Sequence, residues 1–284
     1  MTYSIVARDA DSGQLGVAVE SHAVAVGGLC PWAAPEVGAV ATQAMVEVAY
    51  GPRMIDALRH SRSPESALRK LTDADAMANI RQVAAVDATG RIAVHTGADC
   101  IPVAGHRSGD GFSCQANMMR DDGVPDAMAE AFATTKGPLV GRLLAALDAA
   151  EAAGGDIRGR QSAAIKVVAG GPGAEMSGWL MDVRVDDDAE PLHELRRQVQ
   201  LHEASNSSAP DAPAKVAELS RGNPEGWFWQ GVTLANEGRI EEAEAAFGHA
   251  FAAGDEWRQL LLRIPNMLPS DPDLRRKLAQ VGRS

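Results

Sequence analysis

The 284-residue chain is poor in aromatic side chains, at only 4%, and holds just three cysteines, Cys30, Cys100 and Cys114. With so few rings, aliphatic side chains, alanine and glycine must fill the interior. Hydrophobic residues, at 45%, supply enough of them to exclude wholesale disorder. An odd number of cysteines in a long chain argues against a disulfide framework and for a reducing compartment. Basic residues are the minority, 27 against 38 acidic ones, for a net charge of −11 without any basic run. Such a chain repels phosphate backbones, so no nucleic-acid partner is expected. No stretch reaches the roughly 18 uninterrupted apolar residues of a membrane span, so no membrane association is expected either. Arg8, Asp9 and Asp11 stand where a signal peptide would carry its apolar stretch. The expectation is a cytoplasmic protein whose first residues belong to the fold.

Several common chemistries are also missing. His95, Cys100, His106 and Cys114 contain no CxxC pair and fit no common zinc spacing, so neither a metal nor another cofactor is expected. Gly170-Gly-Pro-Gly173 lacks the Lys-Ser/Thr of a phosphate-binding loop and reads as a hairpin turn. Cys30, before Pro31-Trp32, would be a nucleophile only with a base such as His22 folded onto it. The alternative is an inert buried thiol.

What the chain does carry is a regular alternation of elements. Thr2 to Asp9 is rich in β-branched residues, Asp11-Ser-Gly13 supplies a turn, and Gln14 to Glu20 returns as a second strand. Val37 to Gln43 reads as a third strand, Gln82 to His95 as a second hairpin, and Gly111 to Met119 as another strand. Helices are expected from Tyr50 to about His60, and from Ser63-Pro-Glu with Ser63 as N-cap and Pro at N1. Two more span Pro125–Thr134 and Pro138–Ala153, followed by strands at Ser162–Ala169 and Trp179–Asp186 and a helix at Pro191–Glu203. Strands, two helices, strands, two helices, strands predict an α+β domain with helices covering packed sheets.

The domain is expected over residues 1–203, with a small, polar, proline-containing linker at 204–214. Six of the twelve aromatic residues then fall in a helical tail, 215–284. Trp227, Gly231, Leu234, Gly238, Ala243, Phe247 and Ala250 follow the helix–turn–helix spacing of a tetratricopeptide repeat. One such unit cannot bury its own apolar face, so the tail is expected to dock on the main domain or recruit a protein partner.

Thr2 heads the candidate chemistry. Initiator methionine is removed when a small residue follows, which would leave Thr2 with a free α-amine beside its own hydroxyl. Such an amine titrates near pH 8, so one residue would supply both nucleophile and base. Gln43 and Asn117 sit near the ends of strands otherwise made of small or apolar residues. Their amides either bind a substrate carbonyl and stabilise an oxyanion, or satisfy buried backbone groups. Asp156-Ile-Arg-Gly-Arg-Gln161 places Arg158 and Arg160 beside an acid: an anchor for a substrate carboxylate, or structural ion pairing. Asp182, Arg184 and Asp186 alternate on one strand face, with Arg196-Arg197 following on a helix. They read as a salt-bridged seam, and a homodimer contact is one use for it.

The opening hairpin, Thr2 to Asp9 followed by Gln-Leu-Gly-Val-Ala-Val-Glu-Ser21, resembles that of the N-terminal-nucleophile (Ntn) hydrolases, including proteasome β-subunits. More specifically, residues 2–202 resemble a bacterial family of unknown function (domain of unknown function 1028) assigned to that superfamily. The matching blocks include GVAVES, VGAVATQA, AYGPRMIDAL, CQANMM, GGDIRGRQSAA and DVRVDDDAEPLHELRR. The resemblance implies a four-layer αββα sandwich and, by analogy, amide-bond hydrolysis. It places Thr2 at the nucleophile position, puts Glu20 and Ser21 where partner groups gather, and matches Asp156 loosely to an acidic residue before a strand. It also meets a departure. Proteasome-type sites set a lysine near the third strand, whereas the first lysine here is Lys70, so either another cation substitutes (Arg53, Arg158, Arg160 or His22) or the amine works alone. The leading expectation is therefore an amidohydrolase for a small amide, N-acyl compound or short peptide. The competing one is a catalytically silent sandwich serving as a binding or assembly module.

Overall fold

A computed structural model describes residues 2–171, 173, 178–207, 209, 211–264 and 272–282. The chain divides into two compact units, Met1–Arg196 and Arg197–Ser284. The described residues form a mixed α+β structure with two antiparallel sheets and ten helices. None of these helices is long and apolar enough to cross a membrane.

The first unit opens with the hairpin of β1 (Thr2–Arg8) and β2 (Leu15–Ser21), turned through Gly13 at φ 71°. β3 (Pro31–Ala34) and β4 (Gly38–Ala44) lead into α1 (Tyr50–Arg59) and α2 (Pro64–Asp73). The Ser63 hydroxyl caps α2 by accepting the Ser66 N–H at 3.2 Å, and Pro64 needs no partner at the first helical position. Then come β5 (Arg81–Asp87), β6 (Ile92–Thr96), β7 (Gly105–Gly109) and β8 (Phe112–Asn117). α3 (Val124–Thr134), α4 (Leu139–Ala152), β9 (Ser162–Val168) and β10 (Trp179–Val185) follow. In the expected turn between β9 and β10, Pro172 and residues 174–177 lie outside the described residues. α5 (Pro191–Ser205) crosses the boundary between the units.

Six strands form one sheet in the order β10-β9-β2-β1-β8-β7, and four form the other in the order β3-β4-β5-β6. Strand alternation gives each sheet two apolar faces. Val6, Leu15, Val17 and Val19 of the larger sheet meet Ala39, Ala41 and Val86 of the smaller in one buried core. On its other face the smaller sheet packs Val40 and Val83 against Met54, Leu58 and Leu68 of α1 and α2. The other face of the larger sheet lies under α3 and α4. There a Cβ at Gly16 would stand 2.6 Å from Leu143 Cδ1, so glycine lets α4 approach the strand closely. The shortage of rings is met as expected: Phe132 and Tyr3 are the largest fully buried side chains in this unit, among leucine, valine and alanine.

The second unit contains α6 (Ala212–Leu219), α7 (Glu225–Asn236), α8 (Ile240–Ala252), α9 (Glu256–Arg263) and α10 (Pro272–Leu278). The stretch expected as a linker, 204–214, thus includes the end of α5 and the start of α6, while Ser208 and Pro210 lie outside the described residues. In its centre Phe247 stacks on Phe251 and meets Phe228 edge-on, joined by Leu261 of α9 and Leu278 of α10. The apolar face of the α7–α8 pair is therefore met inside the unit. A side chain at Gly231 would collide with the Phe247 ring at 2.9 Å, which is why a helix-disfavouring glycine occupies that position.

Candidate active site

The ends of β2 and β8 and the starts of β1 and β9 converge at one end of the larger sheet, where Thr2 lies opposite Asn117 and Ser21 opposite Ser162. Parity then divides the side chains. Thr2, Ser4 and Val6 point toward the smaller sheet, whereas Tyr3 and Ile5 point toward α4. Thr2 Oγ1 lies 3.1 Å from Ser21 Oγ, and Thr2 borders a cavity of about 300 Å³. Ser21, Thr42, Gln43, Asp99, Asn117 and Arg158 line the same cavity with Cys30 and Cys100, and aliphatic side chains complete it.

Behind Thr2 is a buried amide network. Gln43 Nε2 and Asn117 Nδ2 both donate to the Thr2 carbonyl, at 3.2 and 3.3 Å, and both donate to Gln82 Oε1, at 2.7 and 3.0 Å. Ser4 Oγ donates to Gln43 Oε1 at 2.6 Å and accepts from Gln115 Nε2 at 2.6 Å. Gln82 Nε2 reaches Thr96 Oγ1 and the carbonyls of Gly105 and Ala116. Hydrogen bonds of this kind hold Thr2 against two sheets at once, and the near-complete exclusion of water strengthens each of them. Gln82 and Gln115 were not singled out in the sequence. The signal that marked Gln43 and Asn117, an amide in an otherwise apolar strand, marks them equally.

The chain leaves β4 and β8 through left-handed residues, Ala44 at φ 68° and Met118 at φ 60°, and both border the cavity. Val103, in the segment joining β6 to β7, is also left-handed at φ 55°, which is costly for a β-branched residue.

Of the expected site residues, the structure gathers Thr2, Ser21, Asn117, Gln43 and Arg158 around the cavity. Asp156 stands just behind. Its Oδ1 accepts the Arg158 backbone N–H at 2.8 Å, its Oδ2 pairs with the Arg158 guanidinium at 3.2 Å, and its side chain is fully buried. Among the described lining residues Arg158 is the only cation. Arg53 does not line the cavity, and the His22 ring is turned to the Arg160 carbonyl, 3.1 Å from Nδ1. Arg160 pairs instead with Glu151 and Glu190, and Gln161 with Asp187.

Glu20 is set apart from Thr2 by the pleat. It faces α4 beside Tyr3, whose hydroxyl donates to Glu151 Oε2 at 2.6 Å. Burial, reinforced by the charges of Glu151 and Asp156, pushes the Glu20 carboxyl up to about 9, so it is protonated at neutral pH. Burial likewise raises the three thiols, Cys30 to about 12. Cys30 and Cys100 border the cavity, but thiols held protonated are weak nucleophiles. Among the described residues no group of three or more His, Cys, Asp or Glu side chains is arranged to hold a metal ion.

Comparison with known proteins gives a family and a fold without an activity. No curated protein matches the chain. The crystal structure of protein SPO2555 from Silicibacter pomeroyi, itself assigned to DUF1028, superposes with a TM-score of 0.65 at 30% sequence identity. The match covers 74% of this chain and 92% of that one. The model of the family of unknown function DUF1028 matches residues 2–195, ending one residue before the boundary between the two units. The chain belongs to that family, the family of unknown function DUF1028.

Proposed function

We propose that the first unit is an N-terminal-nucleophile hydrolase of small amides, with Thr2 as nucleophile. The observation that carries this reading is Thr2 lining a largely apolar cavity while its carbonyl is clamped by Gln43 and Asn117. The packing of helix pair, sheet, sheet and helix pair supports the αββα sandwich expected of that superfamily. On this reading processing removes Met1 and frees the Thr2 amine.

The chemistry follows from the residues present. Thr2 Oγ1 attacks the substrate carbonyl carbon, and its proton passes to the α-amine, directly or through water. The tetrahedral intermediate collapses with rupture of the C–N bond, and the ammonium proton goes to the departing amine. Water then cleaves the resulting ester, releasing a carboxylic acid and restoring Thr2. Ser21 Oγ, at 3.1 Å, orients the attacking hydroxyl.

The test combines intact mass with a screen of amide and acyl substrates. An active protein should lack the roughly 131 Da of Met1, because the base is the freed amine. Thr2→Ala should fold and lose turnover on the order of 10³-fold or more, while Thr2→Ser retains part of it. Native-rate turnover by Thr2→Ala would end the proposal.

A second reading, a binding module without turnover, is favoured by one observation. The Gln43 and Asn117 amides already serve the Thr2 carbonyl and Gln82, so their side chains are not free to hold an oxyanion. Under the hydrolase reading that task falls to backbone N–H groups.

A further inference from the structure

The cavity beside Thr2 has a chemical character that narrows the substrate. At about 300 Å³ it stands at the small end of ligand sites. Its walls are Val26, Leu29, Met45, Val46, Ile80 and Ile101. Four of these stand partly in water: Leu29 is 39% exposed, Met45 53%, Val46 38% and Ile101 46%. Large apolar side chains grouped at the mouth of a cavity are a standing cost that an apolar ligand relieves.

The polar groups nearby offer little to a polar ligand. The Gln43 and Asn117 amides are committed to the network, and Thr42 Oγ1 donates to the Glu47 carbonyl at 3.1 Å. The two charged lining residues, Arg158 and Asp99, are opposite in sign, and Asp156 already engages the guanidinium. A charged substrate group would shed its hydration here without a dedicated partner. Chemistry decides which half of the amide is enclosed. The acyl group remains on Oγ1 while the amine leaves and water enters, so the apolar wall, Met45 and Ile101 included, serves the acyl group, and the amine departs to solvent.

We infer that the site takes amides of short, uncharged aliphatic acids, with Met45 and Ile101 setting the preferred chain length. The inference rests on the reading of Thr2 as nucleophile, and its test separates the two. The probes are 4-nitroanilides of acetic, butanoic, hexanoic and glutaric acids, the last matching a short aliphatic chain but carrying a carboxylate. With the full wild-type chain, kcat/KM should rise from acetyl to hexanoyl by up to about fourfold per added methylene. Glutaryl should fall well below hexanoyl. Met45→Ser and Ile101→Ser should flatten the rise.

Thr2→Ala protein, titrated with the same anilides in a calorimeter, reads binding without cleavage. Tightening with chain length there, flattened by Ile101→Ser but without wild-type turnover, upholds the acyl site and removes the hydrolase. Turnover that is indifferent to chain length, or that favours glutaryl, overturns the acyl site and keeps the hydrolase. Neither turnover nor binding overturns both.

Discussion

Asp156 Oδ2 accepts the backbone N–H of His22 at 3.1 Å, joining residues 134 positions apart and tying the end of β2 to the segment that enters β9. The same carboxylate holds the Arg158 backbone and guanidinium. Asp156→Ala should therefore cost about 1.5–3 kcal/mol, because it strips partly buried donors of a charged acceptor. Asp156→Asn, which keeps an acceptor for His22, should cost less. Urea denaturation midpoints measure both, and an Ala variant as stable as wild type would contradict the role.

Gln82 is the hub of the amide network, accepting from Gln43 and Asn117 and donating to three oxygens. Gln82→Leu conserves much of the volume and removes every one of those bonds. A loss of about 2–3 kcal/mol in chemical denaturation is expected, with reduced turnover as the Thr2 carbonyl loosens. Full activity in a variant destabilised by that amount would detach the network from the site.

Glu20 gives a pH dependence of definite sign. Its folded pKa, about 9, lies above the ordinary carboxylate value of 4.5. The folded state therefore binds the proton more tightly, and this contribution to stability is complete below pH 4.5 and lost as pH rises toward 9. Glu20→Gln removes the titration. The variant should gain melting temperature relative to wild type on going from pH 5 to pH 8.5. An offset that is equal at the two pH values would show that Glu20 titrates normally.

The thiols should be sluggish. Cys30, Cys100 and Cys114 are all buried with raised pKa values, so native protein should resist iodoacetamide under conditions that label all three in urea. Cys100, 7% exposed and on the cavity wall, should react first. Rapid native labelling of Cys30 would revive it as a nucleophile.

These features were unevenly legible in the sequence. The opening hairpin could be read because its β-branched alternation and its Asp-Ser-Gly turn are local signals, and the cap of α2 is likewise local. β3 and β7 were missed. The first is four residues long and begins with proline, and the second is glycine, histidine, arginine and serine between glycines. Both are edge strands, whose existence depends on partners elsewhere in the chain. Glu20 and Ser21 were expected together, yet a period of two sends neighbours to opposite faces, and only the position of the second sheet says which face holds the cavity. The ion pairing of Asp156 with Arg158 was one of two readings of that segment, and the structure realises it beside the cavity while drawing Arg160 away. The cavity walls could not be foreseen. Met45 and Ile101 come from separate connections, and nothing in their local sequence announces a shared space.

The placement of β1 has a kinetic corollary. It lies between β2 and β8, with the amides of Gln43 and Asn117 gripping its first carbonyl from behind. Backbone amides along such a strand exchange with solvent only when the whole sheet opens. The hydroxyl of Thr2 is thus mounted on a strand paired on both sides. Any adjustment needed to admit a ligand falls to the surrounding connections, so they, and not the threonine, would set how quickly the pocket fills and empties.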